Sequence, residues 1–76
     1  MNTWSKEEII ALKKRVYGNI TDDEILEKLR LLEAHLQKYH HSILPRKRRD
    51  EWSSVEQIAG AIARLIRQRY SISLVP

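Results

Sequence analysis

Four consecutive cations, Arg46, Lys47, Arg48 and Arg49, and a later pair, Arg64 and Arg67, are the side chains here whose type and spacing suit a definite chemistry. Lysine and arginine neutralise phosphates, and arginine and glutamine also carry donors that match the edges of guanine and adenine. Gln57, Arg64 and Arg67, joined by Gln68, recur at helical spacing with Gly60 and Ala61 among them, so long donors would share one helix face with little bulk between them. The chemistry indicated is recognition of nucleic acid, DNA rather than RNA, with Arg46, Lys47, Arg48 and Arg49 on phosphates and Gln57, Arg64 and Arg67 near bases. An acidic protein partner would meet the same charges, and a solvated face kept for solubility would have the same composition.

Two other clusters invite a chemical reading and lose it on spacing. His35, His40 and His41 do not converge, because five residues turn a helix by about 140° and adjacent residues point apart. Asp22, Asp23 and Glu24 form an acidic run, but at a helix start they serve the dipole and the capping of backbone N–H groups more simply than they would a metal. No nucleophile and base motif appears, and two glycines leave little for a phosphate cradle. The expectation is a protein that is not an enzyme and uses no metal and no cofactor.

Size and composition agree. Seventy-six residues make one domain with a modest core and little room for a deep cleft. With 42% hydrophobic and 32% charged residues the chain is too apolar to stay disordered. It has no cysteine, so no disulfide framework or thiolate site. Charges interrupt every apolar run well short of a membrane span, and no leader pattern is present, which places the chain in the cytoplasm or nucleus. The net charge of +4 is unevenly placed. Acids and bases balance as far as Tyr39; beyond it Arg46, Lys47, Arg48, Arg49, Arg64, Arg67 and Arg69 face only Asp50, Glu51 and Glu56.

These side chains must be positioned by helices. Ser5 and Glu8 have capping-box spacing, and Trp4 with Ile9 that of a hydrophobic staple; Ile9, Leu12 and Val16 then line one face until Gly18, whose freedom to turn left-handed suits a helix end. The first helix is expected over about 6–17. Thr21 and Glu24 repeat the box, and Ile25, Leu29, Leu32, Leu36 and Tyr39 form one continuous stripe down a second helix over about 22–40. That helix would be roughly 28 Å long, enough to wall the whole core. Pro45 forbids its continuation, and the basic run through Glu51 reads as a loop. Ser53 and Glu56, behind Trp52, open a third helix over about 54–70 with Val55, Ile58, Ala59, Ile62, Leu65 and Ile66 inward. The fold expected is all-α, a three-helix bundle with a long central second helix and an extended C-terminal tail, the alternating SISLVP.

Trp4-Ser5-Lys6-Glu7-Glu8, followed by Leu12 and Val16, resembles the opening of a Myb or SANT-type domain, and Trp52 with Ile58-Ala59 resembles that group's second helix. The two echoes imply different alignments. One lacks a third helix after Trp52, and the other has an overlong second helix with the basic segment inserted. The resemblance covers a minority of the chain and implies a helix-turn-helix-like fold whose third helix contacts DNA through Gln57, Arg64 and Arg67. An alternative is a protein interaction module acting through a helical surface or the apolar tail. Leu26 and Leu31, which broaden the second helix's apolar surface, and Ile72, Leu74 and Val75 in the tail make a homodimer an expectation as well.

Overall fold

The computed structural model describes residues 4–70. They form three α-helices, α1 (Lys6–Asn19), α2 (Asp23–His41) and α3 (Pro45–Tyr70), and no strand. The tail expected beyond Tyr70 lies outside the described residues.

The start of α1 follows the capping box. Ser5 Oγ accepts from the Glu8 N–H at 3.2 Å while Glu8 Oε1 accepts from the Ser5 N–H at 2.8 Å, and Trp4 and Ile9 are both buried beside it. The expected stop at Gly18 is displaced. Gly18 is helical, the helix runs on to Asn19, whose Nδ2 donates to the Arg15 carbonyl, and the chain leaves through Ile20 in an extended conformation. At the start of α2 the cap moves from Thr21 to Asp22, whose Oδ1 accepts from the N–H groups of Glu24 and Ile25. A carboxylate at that point meets both the orphan donors and the positive end of the dipole, which a hydroxyl one residue earlier does not.

The largest departure is in α3. The segment Pro45 to Glu51 is helix, not loop, so α3 begins eight residues before Ser53 and at 26 residues exceeds the 19 of α2. Proline at the first helical position lacks only an N–H that would have no partner there, and the Arg, Lys and Glu that follow are good helix formers. Ser53 is therefore no cap. Its expected reciprocal partner Glu56 is engaged elsewhere, accepting the Trp4 N–H at 2.9 Å through Oε2.

The core gathers Trp4, Ile9, Leu12 and Val16 from the start of the chain through α1, Ile25, Leu29 and Leu32 from α2, and Val55, Ala59, Ile62, Ala63 and Ile66 from α3. Among the described residues no polar side chain is buried with them. Ile58 and Leu65, expected inside, lie half-buried on the flank, and Ala63 takes a core place. The α2 stripe is buried as far as Leu32, after which Leu36 and Tyr39 are half-exposed.

Polar contacts fix α3 along its length. At one end the Arg69 guanidinium forks onto the carboxylates of Asp22 and Glu24. Further along, His35 Nδ1 lies 2.9 Å from Glu51 Oε2, and at the other end Arg48 reaches the last turn of α2. These pairings run α2 and α3 antiparallel in one register, from Asp22 with Arg69 to Tyr39 with Trp52. The first turn of α3 consequently projects beyond the end of α2.

Candidate nucleic-acid interface

Because Pro45–Tyr70 is one helix, the phase of each candidate side chain follows from about 100° per residue. Arg46, Arg49, Gln57, Arg64 and Arg67 fall within roughly 80° of arc, and all five are exposed. The segment read as a loop is thus brought onto the face read as a recognition helix, a convergence that no loop would have ensured. Arg46 and Arg67 are roughly 31 Å apart along the axis, and the gap from Arg49 to Arg64 is about 23 Å. The result is two cationic pairs at either end of a straight face. Between them Ser53, Glu56, Gln57, Gly60, Ala61 and Arg64 line an open hollow of about 400 Å³. Gly60 and Ala61 make it, since a hydrogen and a methyl group leave it unfilled.

The four consecutive cations separate on the helix. Lys47 is exposed but turned about 100° from Arg46. Arg48 is turned the other way, toward α2, and its assignment to phosphate is met by a different set of contacts. Its guanidinium carbon sits 4.4 Å from the centre of the Tyr39 ring. Its Nη1 donates to the carbonyls of Tyr39 at 3.3 Å and Ser42 at 3.2 Å. The Tyr39 carbonyl, which also accepts the Ser42 N–H at 3.3 Å, lies in the last turn of α2 and Ser42 caps that helix, so a cation there suits the negative end of the helix dipole. Sequence spacing could have separated Arg48 from Arg46 and Arg49 had the helix been started at Pro45.

Two acids qualify the positive face. Asp50 shares it, while Glu56 at its edge is occupied by the Trp4 N–H. The first turn of α3 carries Arg46, Lys47 and Arg48 and no acid, so cations crowd the positive end of a dipole. That arrangement is unfavourable within the chain and is relieved by an anion.

The other candidate clusters are spread out. His35 pairs with Glu51 and His40 packs edge-on to Tyr39 at 5.4 Å between ring centres. Among the described residues no group of three or more His, Cys, Asp or Glu is placed to hold a metal ion. No described helix is long and apolar enough to cross a membrane. Of the residues expected to widen the apolar surface, Leu26 is half-buried against the core and Leu31 is 53% exposed, while Ile72, Leu74 and Val75 lie outside the described residues.

Comparison with protein-family models, curated proteins and solved structures finds no match to this chain.

Proposed function

We propose that this chain is a non-catalytic nucleic-acid-binding module, a three-helix bundle that lays the outer face of α3 on duplex DNA. The alignment of Arg46 and Arg49 with Gln57, Arg64 and Arg67 on one uninterrupted helix carries the reading. The cationic pairs suit phosphates at the two ends of the contact, and the low centre at Gly60 and Ala61 lets the helix backbone approach base edges near Gln57. The Myb-like likeness points to the same helix. Lys47 would add to the field without joining the contact, and Arg48 holds the end of α2. Self-association through the exposed Leu31 is a subsidiary part of the proposal, and sedimentation at high micromolar concentration is expected to show a dimer.

The test is direct. Fluorescence anisotropy with a labelled duplex of about sixteen base pairs should show binding at 50 mM salt that weakens linearly in log salt, with a slope near −0.9 per phosphate neutralised. Absence of binding at 50 mM salt to both DNA and RNA overturns the reading.

A further inference from the structure

A second surface lies where α1 meets the end of α2 and the start of α3. Lys6, Ile9, Ile10, Leu36, His40 and Trp52 line a hollow of about 100 Å³ whose walls are almost wholly apolar. Its size is informative. Small-molecule sites usually span about 300 Å³ or more, whereas a hollow near 100 Å³ takes one branched side chain. Ile10 stands 51% exposed at its lip. Trp52 is shared with a wider, flatter hollow lined by Tyr39, Pro45, Arg48 and Arg49. Tyr39 joins the two, with its ring 5.1 Å from that of Trp52 and within cation–π range of both Lys6, at 5.8 Å, and Arg48. Beyond the flatter hollow, Leu44 is 61% exposed.

The charged side chains that line the two hollows are of one sign. Lys6 stands at one side and Arg48 and Arg49 at the other, with the His40 imidazole between, and among the described residues no carboxylate lines either hollow. An apolar pocket inside a cationic rim, too small for a base to enter whole, suits a protein segment that carries an aliphatic anchor among acids. We propose that this junction docks a short acidic segment of another protein, one Leu, Ile or Met entering the hollow beside Trp52 and flanking Asp or Glu meeting Lys6, Arg48 and Arg49. The cleft faces away from Gln57 and Arg64, so the proposal stands independently of the nucleic-acid reading; Arg49 alone borders both surfaces.

The experiment titrates the full ¹⁵N-labelled chain with a synthetic peptide of about twelve residues, a central Leu among Asp, Glu and Ala. Amide shifts are expected at residues 6–10, 36–40 and 48–52. Replacing the peptide's Leu by Ala, or its acids by Asn and Gln, should each weaken binding at least about tenfold, because the anchor and the charges act together. Ile10→Lys changes an exposed position and should remove binding while leaving the other amides in place. Lys6→Glu, which leaves the hollow open, should weaken binding about threefold or more, as loss and reversal of one exposed ion pair would. No shift at about 1 mM peptide overturns the proposal, as does equal binding by either control peptide or undiminished binding by both variants. Movement of these same amides on adding duplex DNA, or on concentrating the protein alone, would assign the cleft to nucleic acid or to a second copy and likewise overturn it.

Discussion

Arg46 and Arg48 are two residues apart and chemically identical, yet the helix sends them to different work. Arg48 supplies donors to the carbonyls that end α2 and stacks on Tyr39. Arg48→Ala should therefore destabilise the protein by about 1 to 2 kcal/mol, the sum expected of charge-assisted hydrogen bonds and a partly exposed cation–π contact. Arg46→Ala should leave stability within about 0.5 kcal/mol, as exposed changes do, and weaken nucleic-acid binding instead. Urea unfolding of the two variants separates these outcomes. Asp22 gives a second case. The Arg69 guanidinium holds its carboxyl below the usual carboxylate range; desolvation pushes the other way, and the backbone N–H groups of Ile25 and Glu24 add smaller downward pulls. A depressed carboxylate contributes stability above its unfolded value, about 3.9, and loses it as pH falls through the lower folded value. Asparagine caps a helix as well as aspartate does, so Asp22→Asn isolates the charge. The variant should be less stable than the parent at pH 7, and the difference in urea midpoint should shrink as the pH is lowered below about 4. A constant difference down to pH 2 would remove the Arg69 contact as its cause.

At the scale of the elements, the bodies of the first two helices were legible because their signals are local, while the end of α1 moved past Gly18 to Asn19 and the cap of α2 from Thr21 to Asp22. Ser5 with Glu8 and the stripe from Ile25 onward each admit one reading. The third helix was misjudged at its start because Trp52, Ser53 and Glu56 imitate a cap at a place where the chain was already helical. What decides the matter is Pro45, which can open a helix as readily as it ends the one before. The distinction has a measurable consequence. Ser5→Ala should cost about 1 kcal/mol by removing a cap, whereas Ser53→Ala, exposed within a helix, should be neutral or stabilise by up to about 0.5 kcal/mol. Gly18 makes the same point for α1. It lies inside the helix, and a Cβ placed on it meets nothing within 4 Å. Gly18→Ala should raise stability by about 0.5 to 1 kcal/mol, where a glycine holding a left-handed turn would have made the change costly. Thermal unfolding of the three variants reads all of these effects.

At the scale of the whole molecule, the candidate site was half legible. Residue types and the phase of Gln57, Arg64 and Arg67 could be read from spacing, but the relation of those residues to Arg46 and Arg49 depended on a helix continuous from Pro45, where local pattern marks a break. The contacts that immobilise the helix pair residues distant in sequence, Arg69 with Asp22 and Trp4 with Glu56, and nothing in local pattern announces them. Fixed in this way, α3 presents its two cationic pairs as one rigid ruler. The pairs are separated by about 23 Å, well beyond the ~8 Å screening length at physiological salt, so each should act on DNA independently of the other. If both ends touch one duplex, Arg46→Ala with Arg49→Ala should reduce the magnitude of the salt slope by up to about 1.8, and Arg64→Ala with Arg67→Ala should do the same. The quadruple variant should then lose the sum of the two binding free energies, because distant sites that share no partner combine additively. A quadruple variant no weaker than one of the doubles would mean that only one end of α3 meets the duplex. The proposal that the helix is engaged along its whole outer face would then fail, even for a protein that binds DNA.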